Sequence, residues 1–235
     1  FPTDHRNCAM CHDGEQADVY KTAPSRRSCG SCHDNVNFET GVGHSVGIPQ
    51  ADDSMCAVCH QAEGDEFGQS IAGSHTVPTK SKKLKGLVAT ILQVTNAAPG
   101  QNPVVRYTLT ESDGTAVDPS TLRTLAVTLG GPNKEYTYYL REDGTKTSVK
   151  DGDAYTYTFT APIPAEAQGT YSFSLEARRD VVLKDNPEGQ TDITATEAAA
   201  NPMYWVAVTG NDVVQRRHIV SQEKCNACHD KVSLH

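Results

Sequence analysis

All eight cysteines of the chain stand in pairs with two residues between them, and a histidine follows each pair: Cys8-Ala-Met-Cys11-His12, Cys29-Gly-Ser-Cys32-His33, Cys56-Ala-Val-Cys59-His60 and Cys225-Asn-Ala-Cys228-His229. Histidine makes up 9 of 235 residues, so four such placements would arise by chance about twice in a million, before the cysteine pairing is counted. Three chemistries use cysteines at this spacing. A redox dithiol does not need a histidine after its second cysteine, and a tetrahedral zinc site does not need one beside a cysteine in every copy. A c-type haem needs both: two thiols form thioethers with the porphyrin, and the next histidine turns under the ring to bind iron. Four covalently attached c-type haems are therefore expected, with His12, His33, His60 and His229 as the proximal ligands.

Five histidines remain, His5, His44, His75, His218 and His235. They are the candidates for four sixth ligands. Of the 3 methionines, Met10 lies inside the first motif and Met55 abuts the third, so histidine is expected on the second axial position of each iron. Such bis-histidine ligation gives low potentials relative to His/Met sites. His44 in GVGHSVGIP and His75 in GSHTVP sit in small-residue loops whose backbone can carry an imidazole to a flat ring. His5 precedes His12 by seven residues and His235 follows His229 by six; neither crosses easily to the far face of its own haem, so each is expected to ligate a neighbouring one. For His218, in QRRHIV, a structural or propionate-contacting role weighs as heavily as ligation.

The elements that must position these groups divide the chain in three. Residues 1–79 hold three motifs with turn residues between them and no readable long helix. Porphyrin is expected to supply the apolar interior there, in keeping with a hydrophobic content of 37%. Residues 80–210 have neither Cys nor His and alternate apolar with polar residues, as half-buried strands do. Strands are expected at 87–94, 104–110, 124–129, 135–140, 154–160, 170–175 and 204–208, forming an immunoglobulin-like or Greek-key β-sandwich. Residues 211–235 return to haem chemistry with the fourth motif. Tyr155, Tyr157, Phe159 and Trp205 read as sheet core rather than electron relays. The acidic clusters at 63–66 and 151–153 read as solvated turns, since no calcium-loop pattern is present. SKKLK at 81–85 reads as a linker or a sheet-edge guard.

A net charge of −8 leaves no basic stripe for a phosphate backbone, so a nucleic-acid partner is not expected. No run of about 18 apolar residues marks a transmembrane helix. The chain opens FPTDHRNC with no leader pattern and reads as a mature or trimmed product. Haem is joined to CxxCH outside the bacterial cytoplasm, which makes an exported protein the expectation.

The stretch Arg216-Arg217, Ile219-Val220, Lys224-Cys225-Asn226, Cys228-His229 and His235, after a trio of CxxCH motifs and a β-domain, resembles the OmcA/MtrC family of outer-membrane decahaem cytochromes from metal-reducing bacteria. The resemblance implies an extracellular or cell-surface electron carrier with bis-histidine haems, whose partners are other multihaem cytochromes or extracellular acceptors. Those relatives carry about ten haems in two clusters with a second β-domain; this chain has four motifs and no spare cysteine for a disulfide. A carrier with six-coordinate irons is not an enzyme. The rival readings are a haem reductase with one open iron and a cell-surface binding module with accessory haems. A head-to-tail homopolymer, in which His5 or His235 caps a haem of the next subunit as in cytochrome nanowires, is a further expectation; a chain that continues into more haems is the competing explanation.

Overall fold

The structure, a computed structural model, describes residues 4–10, 12–44, 47–187, 189–217 and 220–226. The chain forms two compact units, Phe1–Ser81 and Lys82–His235.

The first unit is built from single helical turns. Cys8–Met10 and Gly14–Gln16 are 3-10 turns, and α1 (Val19–Thr22), α2 (Arg26–Gly30), α3 (Cys56–Cys59) and α4 (Ile71–Ser74) span four or five residues each. Glycine, proline, aspartate and serine interrupt every longer helical run, so local capping has to hold each turn. Ser25 caps α2 by accepting from the Ser28 amide at 3.2 Å, and the Ser28 hydroxyl answers at the Ser25 amide. Ser70 caps α4 by accepting from the Gly73 amide at 3.0 Å.

Among the described residues the second unit holds nine strands in two antiparallel sheets. They are β1 (Val88–Thr95), β2 (Val104–Thr110), β3 (Thr124–Gly131), β4 (Tyr138–Asp143), β5 (Val149–Asp151), β6 (Ala154–Thr158), β7 (Thr170–Lys184), β8 (Ile193–Ala198) and β9 (Met203–Ala207). One sheet runs β1-β2-β6-β5; the other runs β4-β3-β7-β8, with β9 also paired to β7. Both inner faces feed one core. Val105, Tyr107 and Leu109 of β2 meet Leu125, Val127 and Leu129 of β3 and Phe173 and Leu175 of β7, all at most 1% exposed. Their spacing of two is what a pleated strand with one buried face requires. Phe159 packs edge-on against Phe173 at 6.1 Å between centroids.

Two strands lay outside the sequence expectation. β5 is three exposed residues, and β8 reads ITATEA, too rich in alanine and threonine to mark an apolar face. β7 runs nine residues beyond its expected end at 175, through Arg178, Arg179 and Asp180. Those charges are paired: Arg179 bridges Glu111 at 3.2 Å and Glu197 at 2.7 Å, and Asp180 holds Arg123 at 2.9 Å. The linker reading of SKKLK gains detail, because Lys83 donates to the Leu183 carbonyl at 2.6 Å, beside a register shift between β7 and β8. Asp151 pairs with Arg106 at 2.6 Å and Glu63 with Lys21 at 2.5 Å.

The stretch beyond 210 is fastened to the β-unit. Val214 donates its amide to the Thr170 hydroxyl at 2.9 Å and accepts from the Asn133 side-chain amide. Arg216 donates to the Asn133 carbonyl at 3.2 Å and lies over the Tyr136 ring at 4.6 Å. It leads into α5 (Gln222–Asn226), which carries Cys225. Among the described residues no helix is long and apolar enough to cross a membrane.

Candidate haem sites

Each described motif makes the same backbone turn. The amide of His12 donates to the carbonyl of Cys8, that of His33 to Cys29 and that of His60 to Cys56, each at 2.9 Å. An i to i+4 bond closes one helical turn, and positions i, i+3 and i+4 then share a face. In the second and third motifs, all of whose residues are described, the two sulfurs and the imidazole can thereby face one group. The two intervening residues only complete the turn, which is why they differ in every copy. Cys225 lies in α5, its amide donating to the Ser221 carbonyl at 3.3 Å.

Across the first unit the histidines come together in pairs. The rings of His33 and His75 lie 6.2 Å apart between centroids with planes at 75°, and those of His44 and His60 lie 6.0 Å apart at 55°. A metal binds an imidazole nitrogen at about 2 Å. With roughly 1.1 Å more to the ring centre, two ligands on opposite sides of one ion would stand about 6.2 Å apart between centroids. Both pairs meet that spacing. They are nested in sequence: 44 and 60 lie between 33 and 75.

The loop that carries His44 is folded by glycine. Gly41 and Gly43 have φ of 77° and 79°, and a Cβ on Gly43 would run into the Asn35 carbonyl oxygen. Asn37 organises the turn by accepting from the amides of Glu39 and Thr40, each at 3.0 Å. Phe38 packs on His44 at 6.3 Å between centroids. His75 is delivered differently, as the residue closing α4, with its Nδ1 2.8 Å from the Ile71 carbonyl. A carbonyl can only accept, so Nδ1 carries the proton and the Nε2 lone pair is left for a metal. His44 Nδ1 is buried and has no hydrogen-bond partner among the described residues.

Arg26 joins the second motif to the third. Its backbone amide and Nε donate to Asp53 Oδ1 at 3.0 and 2.9 Å, and Nη1 donates to the carbonyls of Gln50 and Ala51 at 3.0 and 2.7 Å. Asp53 in turn accepts the Cys56 amide through its carbonyl at 3.2 Å. Tyr20 packs on His12 with centroids 5.4 Å apart. Nothing in the sequence marks Arg26, Phe38 or Tyr20, because their roles depend on which loops meet. The Ser70 cap ahead of His75 is a signal that capping rules could have found.

The donor set fits haem better than its competitors. The described cysteines Cys8, Cys29, Cys32, Cys56, Cys59 and Cys225 form no disulfide with one another. Burial pushes the Cys56 thiol up, opposite to what a redox thiolate needs. Among the described residues no three of His, Cys, Asp or Glu converge as a bare metal ion would demand. His5 is described, on an exposed turn flanked by an Asp4–Arg6 pair at 2.7 Å. Cys11, His218, Cys228, His229 and His235 lie outside the described residues, and with them one side of the expected head-to-tail contact.

No family model matches the chain. Over 165 residues, 62% of the chain, it is 31% identical to the multihaem cytochrome MtrC of Shewanella baltica (strain OS185), of which the matched part is 23%. The crystal structure of MtrC from that organism superimposes with a TM-score of 0.68 over 95% of this chain and 40% of the other, at 21% identity. The crystal structure of the outer membrane decahaem cytochrome OmcA does so with a TM-score of 0.59 over 97% of this chain and 37% of the other, at 17% identity. The chain thus spans less than half the length of each, and its fold is theirs.

Proposed function

Because the chain is a relative of the multihaem cytochromes MtrC and OmcA, we propose that it is itself a carrier of electrons outside the bacterial cytoplasm, holding four c-type haems. Cys8 and Cys11, Cys29 and Cys32, Cys56 and Cys59, and Cys225 and Cys228 are the attachment points, and His12, His33, His60 and His229 the proximal ligands. His75 is the second ligand opposite His33, and His44 the second ligand opposite His60. The observation that carries this reading is the pairing of those rings at 6.2 and 6.0 Å. His5 and His235 are the candidates for the remaining two irons.

Bound haem supplies one-electron exchange between ferric and ferrous iron. The work of the polypeptide is positional. The helical turns fix each sulfur pair relative to its histidine, the glycine loop and α4 bring in the second ligands, and Arg26 keeps the two nested sites in register. With His33 and His75 at one site and His44 and His60 at the other, a bound iron would be left no open position, so at these two sites the chain would pass electrons and not turn over a small substrate. The partners are redox proteins or acceptors that touch an exposed porphyrin edge.

Intact mass of the native protein tests the cofactor count: the expected mass exceeds that of the polypeptide by four haems, and the colour stays with the protein through acid-acetone extraction. A bare polypeptide mass, or a colour lost to the solvent, overturns the reading. Low-spin ferric resonance tests the ligands, and a dominant high-spin signal at neutral pH would instead favour a reductase with an open iron.

A further inference from the structure

The two nested sites are alike on the proximal side and differ on the distal side. His33 and His60 close the same turn, each donating its amide to the first cysteine of its motif at 2.9 Å. Opposite them the second ligands meet different surroundings. His75 Nδ1 is 2.8 Å from the Ile71 carbonyl and 3.2 Å from the Ser74 hydroxyl. His44 Nδ1 is buried with no partner among the described residues, and the ring has Phe38 for a neighbour.

A hydrogen bond from Nδ1–H to a carbonyl gives the imidazole part of the character of its anion and makes Nε2 a stronger donor. A stronger donor favours the higher charge on the iron, so it stabilises ferric over ferrous. An imidazole whose Nδ1–H has no acceptor is the weaker donor. We infer that the His44/His60 site holds an electron in preference to the His33/His75 site, and that the Ile71 carbonyl, acting through His75, is the positioning group that sets this order. The inference rests on the ligand pairs proposed above and adds the direction in which charge settles between them. Outer-shell partners of metal-bound histidine change metal affinity by about 10- to 100-fold. Taking the lower end as the preference for ferric iron, the two sites should differ about tenfold in electron occupancy, about 59 mV for a one-electron couple.

The ring planes provide the means of telling the sites apart. The closer two axial imidazoles come to perpendicular, the closer in energy are the two iron orbitals they touch, and the lower the field of the low-spin ferric resonance. The pair at 75° therefore gives the lower-field signal and the pair at 55° the higher. The experiment is paramagnetic resonance of the whole protein, frozen at a series of poised potentials. His75→Met and His44→Met each delete one of the two signals and so identify them. On lowering the potential, the His44/His60 signal should disappear first, with the His33/His75 signal persisting until the surroundings are about tenfold more reducing. Simultaneous loss, or loss of the His33/His75 signal first, overturns the inference while leaving the ligand pairs standing. If neither substitution removes a low-spin signal, the ligand pairs themselves are wrong, and the inference falls with them.

Discussion

The two units solve the problem of an interior in opposite ways. In Lys82–His235, side chains from both sheets close on one another, and the largest of the fully buried ones, among them Tyr107, Phe159 and Phe173, are less than 2% exposed. In the described part of Phe1–Ser81, the buried hydrophobic residues are Phe67 and Val77, while Met10, Val19, Val42, Ile48, Met55 and Val58 are exposed. A segment of about 80 residues with so little apolar burial cannot offset its chain entropy by side-chain packing. What it offers instead are the proposed ligand pairs: covalent attachment and coordination of haem would close loops there and supply a large apolar group. On the proposed reading one unit is folded by its own side chains, the other by what it binds.

The largest effect this difference predicts comes from withholding haem. In a host that cannot attach it, residues 1–81 should be digested completely by protease, while residues from Lys82 through β9 survive as a resistant fragment with strand-type circular dichroism. Equal protection of both units would break the contrast. A smaller effect comes from the opposite side: Phe173→Ala, at a fully buried position, should cost about 3–5 kcal/mol in chemical denaturation. The resonances assigned to the His33/His75 and His44/His60 sites should not move.

The same difference decides how much could be read without a structure. Strands such as β2 and β3 announce themselves, because a sheet with one buried face forces an alternation of side chains. The CxxCH turns are equally plain, since the chemistry fixes residue types at fixed spacing. β8 and the second half of β7 escaped because ion pairs, Arg179 with Glu197 and Asp180 with Arg123, stand where the pattern wants apolar residues. In the first unit the residue types single out His44 and His75 as candidates, but not the rings they lie beside, His60 and His33. Pairing depends on how two loops pass one another, and neither periodicity nor motif records that. The Ile71 carbonyl that orients His75 is a backbone atom and leaves no trace in residue types at all.

A third expected effect is intermediate in size and falls on the loop that delivers His44. Gly43→Ala puts a Cβ against the Asn35 carbonyl at a φ of 79°, and should cost about 3 kcal/mol or force the loop to shift. Displacement of His44 would convert its iron from low to high spin in resonance spectra while the His33/His75 signal stays. Loss of both signals together would mean that the nested sites fold as one.

The smallest effect probes how much of the β-unit is polar stapling rather than packing. Glu142 on β4 accepts from the Tyr157 hydroxyl at 2.5 Å, the Thr160 amide at 2.9 Å and the Thr160 hydroxyl at 2.7 Å. It thereby ties one sheet to the other. Burial pushes its carboxyl up, yet those hydrogen bonds more than reverse this and leave it below the usual value of 4.5. A carboxyl held low in the folded state adds stability that is present above its unfolded pKa and is lost as pH falls through the folded one. Glu142→Ala should therefore cost about 2 kcal/mol at neutral pH, and the difference from the parent should narrow as the pH drops below about 4.5. Urea denaturation followed by circular dichroism at neutral and acid pH reads both. A cost that does not change with pH would assign the contribution of Glu142 to packing and remove the one ionised contact among these that joins the two sheets.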